Sequence, residues 1–165
     1  MDYQTADLCD KHEERVRAGE LRVLEPMLNS YGGREAFHGR IATLKLHEDN
    51  SLVRKALESP GEGRVLVIDG GGSVRCALVG DQLAALGVKH GWAGIVVYGC
   101  IRDSGDIGEM DIGVLALDTH PLKSIKKNVG EADIAVSFGG VTFVPGHYLY
   151  ADEDGVLVSP TALLA

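Results

Sequence analysis

The sequence predicts an α/β fold with a large share of β structure, built as one domain over residues 1–165. Three observations predict it. The apolar runs Val65–Ile68 and Gly94–Gly99 are separated by a helical segment, the pattern of a parallel strand pair joined by a right-handed crossover. After Asp111 come short apolar or alternating runs divided by Gly, Pro, Asp and Asn, as antiparallel strands packed beside that unit would be. And 165 residues with no repeat, low-complexity tract or linker-like stretch suit one domain with its own core.

Taken in order, Thr5-Ala6-Asp7-Leu8 opens a helix with Thr5 as N-cap and Leu8, His12 and Val16 on one face. Gly32-Gly33-Arg34 is a turn, and Gly39–Leu46 alternates as a strand does. Asn50–Leu57 is helical and ends before Pro60. Arg64–Asp69 is a buried strand closed by Gly70, Gly71 and Gly72. Ser73–Val79 is expected to be a short helix that stops at Gly80. Asp81 is expected to cap the next helix, which carries Leu83, Ala84, Leu86 and Val88 as far as Gly91. Gly94–Gly99 is the second strand and runs directly into Cys100-Ile101-Arg102-Asp103. Ile112–Leu117, Ile134–Phe138, Val141–Val144, His147–Tyr150 and Gly155–Val158 are the C-terminal, antiparallel strands.

With 45% apolar residues the chain should fold without crosslinks or structural metal. Cys9, Cys76 and Cys100 are odd in number and form no C-x-x-C pair, so free thiols in a reducing compartment are expected. A net charge of −8 argues against direct binding of nucleic acid, which needs clustered cations. The nearest approach to a cluster, Lys123-Ser124-Ile125-Lys126-Lys127, is expected to be a solvated loop. The apolar runs are too short to span a bilayer, and Met1–Asp10 lacks the apolar run of a signal peptide. A cytoplasmic protein without a membrane partner is expected.

The strand–helix–strand unit also predicts a site. A crossover helix runs back along its strands, so its N-terminus lies at the edge where the next strand ends, and open α/β sheets bind ligands there. Here those parts are Gly80-Asp81-Gln82-Leu83 and Gly99–Asp103. The helix N-terminus offers unpaired N–H groups and partial positive charge, a seat for a carboxylate. Gly80 leaves room for a ligand against the backbone. Arg102 supplies a charged fork for an oxygen anion. Asp103 supplies one hard oxygen ligand of the kind magnesium or manganese uses while keeping several waters. Plainer roles exist for each: an ordinary N-cap at Gly80-Asp81, and a loop ion pair between Arg102 and Asp103. Gly70–Gly72 lacks the G-x-G-x-x-G spacing, so a tight turn or an oxygen-anion nest is expected. The six histidines lack metal-site spacing, and no G-x-S-x-G elbow is present. Spacing alone leads to an anion and metal site without a reaction class. Asp106, Glu109, Asp111 and a metal-bound water all stand as candidates for the acid or base.

A resemblance adds the class. Tyr31–Arg34 (YGGR), Phe37–Gly39 (FHG), Glu48–Asn50 (EDN), Val65–Ser73 (VLVIDGGGS), Ala77–Asp81 (ALVGD), Gly99–Asp103 (GCIRD), Phe138–Phe143 (FGGVTF) and Tyr150–Gly155 (YADEDG) cover nearly the whole chain in order. The set resembles the family of the regulator of ribonuclease activity A and the 4-hydroxy-4-methyl-2-oxoglutarate aldolases, once widely labelled menaquinone-pathway methyltransferases. The resemblance implies a single domain of the swivelling β/β/α type and a ring-shaped homotrimer with sites near subunit interfaces. In the aldolase branch the segment matching Gly80, Asp81, Gln82 and Leu83 holds the substrate carboxylate. The residue matching Arg102 contacts the oxo group, and that matching Asp103 anchors a divalent cation (Mg2+ or Mn2+). A metal-dependent lyase of small 2-oxo acids is thus implied, releasing pyruvate and also decarboxylating oxaloacetate, since both reactions leave the same enolate. The regulator branch instead binds the endonuclease RNase E and typically lacks the Asp after the Arg. Asp103 favours the lyase here, whereas chain length and the Tyr31–Arg34 segment look close to the regulators. Nothing resembles a distinct methyl-donor site.

Overall fold

The computed structural model describes residues 3–164. In chain order its elements are α1 (Thr5–Lys11), α2 (Glu13–Arg17), β1 (Arg22–Val23), β2 (Asn29–Ser30), β3 (Phe37–Lys45), α3 (Ser51–Glu58), β4 (Val65–Asp69), β5 (Ala77–Val79) and α4 (Asp81–Lys89). There follow β6 (Gly94–Ile101), α5 (Ser104–Ile107), β7 (Gly113–Thr119), β8 (Glu131–Ala132), β9 (Val136–Phe138), β10 (Val141–Phe143), β11 (Tyr148–Asp152) and β12 (Gly155–Ser159).

The centre is a parallel sheet in the order β3-β4-β6-β7. Strand β3 is shared between two layers. Its second half, Ile41–Lys45, pairs in parallel with β4, while Phe37–Arg40 pairs antiparallel with β11. Strands β11, β12 and β1 continue that antiparallel layer, so the sheet curls over itself. The alternation along each strand explains the layering. Leu66 and Ile68 of β4 face a core with Val53 and Leu57 of α3 and Ala84 of α4. Val65 and Val67 face Phe37, Phe138, Phe143 and Leu149 on the opposite side. Every residue of β4 is therefore buried, as a parallel strand covered on both faces must be. This is the β/β/α arrangement expected. At its centre the Phe37 ring lies across Gly94 and Gly113, where an added Cβ would come within 2.3 and 1.9 Å of it.

Several local expectations are corrected. Thr5 is the first residue of α1 and not its cap; Gln4 precedes the helix without a side-chain bond. The Thr5 amide and Oγ1 instead donate to the two carboxylate oxygens of Asp152, at 2.7 and 2.6 Å. The first helix also breaks at His12, whose φ of −116° is not helical. Ser73–Val79 is not a helix. Gly71 and Gly72 turn the chain with φ of 70° and 74°, and Ala77–Val79, buried throughout, returns as β5 beside the end of β6. Gly80, not Asp81, is the N-cap of α4. The first of the late strands, β7, joins the parallel sheet beside β6, because its buried Val114–Ala116 run completes that sheet rather than the antiparallel layer. The remaining late strands pair antiparallel as expected. Among the described residues no helix is long and apolar enough to cross a membrane.

Candidate functional site

Strands β5 and β6 end side by side, and that brings the site together. Beyond Asp69 the chain leaves β4, turns through the glycines, and re-enters as β5 on the same flank of β6. The Arg102 amide then donates to the Val79 carbonyl at 2.9 Å. Gly80 thus lies against Arg102 and Asp103. Space is tight there: a Cβ on Gly80 would sit 2.8 Å from Asp103 Oδ2 and 3.5 Å from Arg102 Cγ and Nε. Its backbone is extended (φ −122°, ψ −170°), so this glycine is required by room and not by conformation.

Asp103 adopts the left-handed region, φ 58° and ψ 39°, an uncommon choice for a residue other than glycine, though tolerated by Asp. This turn directs its carboxylate at the start of α4, where Oδ2 accepts the Asp81 amide at 3.0 Å. Asp103 thereby caps a helix that begins 22 residues earlier and leaves Oδ1 without a hydrogen bond among the described residues. The Gln82 amide turns to Asp81 Oδ1 at 2.8 Å, and the Ala84 amide closes the first helical turn on the Gly80 carbonyl at 3.0 Å. The Leu83 amide has no acceptor among the described residues. Arg102 is half-buried, with Nη1 3.5 Å from the Pro121 carbonyl. Among the described residues it forms no ion pair with Asp103 or any other carboxylate, so the plain loop-pair role does not apply.

These groups line a cleft of about 140 Å³. It is also lined by residues that the sequence did not single out for the site: Asn50 and Arg54 from the start of α3, and Lys123 and Lys126. The basic run is a loop with exposed lysines, as expected, but it is tied to the rest of the fold at defined points. Leu122 accepts the Ala77 amide at 2.7 Å, Lys123 bridges to Ala77 in parallel fashion, and the Asn50 amide donates to Ser124 Oγ at 3.1 Å. Asp49 completes the clamp. It is only 2% exposed and accepts the Lys127 and Val129 amides, each at 3.0 Å, and the Ser51 amide at 2.9 Å. Burial pushes its pKa up, but the hydrogen bonds from Ser51, Val129 and Lys127 outweigh that and hold it down at about 2. The Asn50 amide group donates to the Leu78 carbonyl at 3.0 Å, and its Oδ1 is buried without a partner. The one signal in the sequence was the segment Glu48-Asp49-Asn50, which carried resemblance without a role.

Among the acid and base candidates, Asp111 is committed to Arg34 (2.7 Å) on the surface, and neither Asp106 nor Glu109 lines the cleft. Asp81 does line it. The glycine turn is a turn and not a nest, since the Gly71 amide is taken by Asp69 Oδ1 at 2.9 Å and the Gly72 amide by the Tyr98 carbonyl at 3.1 Å. Among the described residues no three His, Cys, Asp or Glu side chains group as a metal cage. A single exposed carboxylate with one uncommitted oxygen fits a hard cation that retains most of its water, and does not fit zinc. The three cysteines are free thiols.

The comparisons with known proteins agree with this frame. Residues 5–158 match the family model described as RraA-like: Aldolase/RraA. A protein of Aromatoleum aromaticum named "Putative 4-hydroxy-4-methyl-2-oxoglutarate aldolase" is 68% identical over 164 residues, covering 99% of this chain and 100% of that one. A Dechloromonas aromatica protein of the same name is 64% identical, with 99% of each chain covered. Among solved structures, a Geobacillus kaustophilus protein titled S-adenosylmethionine: 2-dimethylmenaquinone methyltransferase superposes with a TM-score of 0.92 at 50% identity, covering 98% of this chain and 97% of that one. The RNA-processing inhibitor RraA from Thermus thermophilis superposes with a TM-score of 0.90 at 46% identity, covering 97% and 94%. On the family match and these near full-length relatives, the chain belongs to the RraA-like (Aldolase/RraA) family.

Proposed function

We propose that this protein is a lyase that cleaves a 4-hydroxy-2-oxo acid, of the 4-hydroxy-4-methyl-2-oxoglutarate type, to release pyruvate, and that it decarboxylates oxaloacetate at the same site. The observation that carries the reading is the meeting of the α4 N-terminus, Arg102 and Asp103 in one cleft. Gly80–Leu83 receive the C1 carboxylate, with the unpaired Leu83 amide and the helix N-terminus favouring negative charge. Arg102 meets the 2-oxo oxygen. A divalent cation (Mg2+ or Mn2+) held by Asp103 would supply Lewis-acid polarisation of the 2-oxo group.

In aldol cleavage the proton of the 4-hydroxyl leaves, its electron pair forms the C4 carbonyl of the departing 2-oxo acid, the C3–C4 bond breaks, and the electron pair of that bond enters the enolate of pyruvate. Arg102 stabilises the oxygen anion that develops, a charge larger in the transition state than in bound substrate. Asp81, the other carboxylate of the cleft, is placed to move the proton directly or through water. Protonation of C3 then yields pyruvate. With oxaloacetate the same bond breaks, carbon dioxide leaves, and the same enolate forms. We propose a homotrimer as the working state; Leu122, Ile125 and Val129, 59%, 71% and 64% exposed along the segment that carries Lys123 and Lys126, offer apolar surface for a neighbouring subunit to cover.

The likeness to the inhibitor RraA favours a second reading, a non-catalytic protein that binds and inhibits RNase E. Pyruvate release from oxaloacetate separates them. Release that depends on magnesium and stops with EDTA supports the lyase; none from any 4-hydroxy-2-oxo acid or from oxaloacetate, together with tight RNase E binding, supports the regulator.

A further inference from the structure

We propose that His120 is a positioning residue for Arg102: its imidazole closes the turn that holds Pro121 against the guanidinium. The inference rests on the lyase reading and adds to that site a residue that lies outside the cleft.

The turn lies where the parallel sheet ends. Thr119 is the last residue of β7 and pairs with Ile101, the last of β6. The next amide, that of His120, donates to the Ile101 carbonyl at 2.9 Å, so the chain leaves the sheet directly beside Arg102. Arg102 has one hydrogen-bond acceptor among the described residues, the Pro121 carbonyl, 3.5 Å from Nη1. That length is at the outer limit of a hydrogen bond, so the contact guides the guanidinium and leaves it free to take a ligand. The direction of Arg102 in the free protein therefore depends on where Pro121 sits.

Proline has no amide hydrogen and cannot be held through one. Its neighbours hold it instead. A proline ring biases the residue before it, here His120, toward extended backbone, and the Leu122 amide reaches back across Pro121 to donate to His120 Nδ1 at 3.1 Å. An amide only donates, so Nδ1 must present its lone pair here. The Leu122 carbonyl then accepts the Ala77 amide at 2.7 Å, at the start of the strand that leads to Gly80. One short turn thus touches both strands that carry the site. His120 is half-buried and does not line the cleft, so it acts through Arg102 and not on the ligand.

Two substitutions separate the ring from its acceptor. His120→Asn keeps a side-chain oxygen able to accept the amide two residues on, as asparagine does in turns; His120→Phe keeps a ring and loses the acceptor. Oxalate is the probe, because its two joined carboxylates mimic the carboxylate and oxygen anion of the pyruvate enolate. In calorimetry with magnesium present, His120→Phe should bind oxalate about threefold to tenfold more weakly, the worth of one neutral hydrogen bond. His120→Asn should stay within about twofold of wild type, and kcat with oxaloacetate should follow the same order. In an Arg102→Lys background His120→Phe should cost nothing further, since the residue it serves is gone; a merely structural turn would cost the same in both backgrounds. His120→Ala carries the same prediction should thermal melting show that the Phe ring disturbs the fold. Wild-type oxalate affinity in His120→Phe and His120→Ala overturns the proposal, and so does a loss that His120→Asn fails to restore or that adds to Arg102→Lys. The outcome is separable from the lyase reading. Oxalate binding that follows this pattern without pyruvate release from any substrate keeps the positioning role and removes the lyase; pyruvate release that His120→Phe leaves unchanged does the reverse.

Discussion

Arg102 is half-buried at the cleft, bears a permanent charge, and has no carboxylate partner among the described residues. A guanidinium so placed is positioned to answer a charge that arrives with the ligand. Arg102→Lys keeps the charge but loses the planar fork. Because the enolate oxygen is most negative in the transition state, the loss should fall on kcat, by on the order of a hundredfold, with thermal stability unchanged. Steady-state kinetics with oxaloacetate measure it, and a change under about threefold, the worth of an exposed contact, would remove Arg102 from the chemistry. At this scale the sequence was informative. Gly80, Arg102 and Asp103 were placed together from chain direction alone, because a helix start and a strand end at one sheet edge follow from the crossover rule. What spacing did not reveal was how Asp103 arrives, through a left-handed turn that lets it cap α4.

Among elements, the segment from Leu122 to Val129 and its anchor Asp49 matter most. Local pattern made it a charged loop, since nothing in Lys-Ser-Ile-Lys-Lys announces a buried carboxylate some seventy residues earlier. For a similar reason Ser73–Val79 was expected to be helical: three residues of β5 are too few to show a strand period, and only pairing with β6 decides their conformation. Asp49→Ala removes acceptors from the Ser51, Lys127 and Val129 amides together. It should cost about 2–3 kcal/mol and lower Tm by roughly 5–10 °C, and it should raise KM by freeing Lys123 and Lys126. The pH dependence follows in sign. Asp49 is held at about 2 against an unfolded value of about 3.9, so its contribution is complete above the unfolded value and is lost as pH falls toward 2. The stability gap between wild type and Asp49→Ala should therefore narrow as pH falls from about 4 toward 2; a gap that stays constant across that range would contradict the assignment.

For the molecule as a whole, the parallel core and the antiparallel layer were legible from the buried run at Val65–Asp69 and the late alternating strands. The sharing of β3 between the two layers was not, because pairing partners are a property of the closed sheet and not of the strand. The homotrimer expected from the resemblance should appear in light scattering as three times the subunit mass of 17.6 kDa; a single-subunit mass at micromolar concentration would contradict it. The central claim, that the edge where β5 and β6 end is a metal-assisted lyase site, is tested most directly by the turnover of Asp103→Ala with oxaloacetate at saturating magnesium. Enzyme-dependent pyruvate release should disappear while fold and assembly state stay unchanged. Turnover at the wild-type rate in a well-folded Asp103→Ala protein would contradict the account.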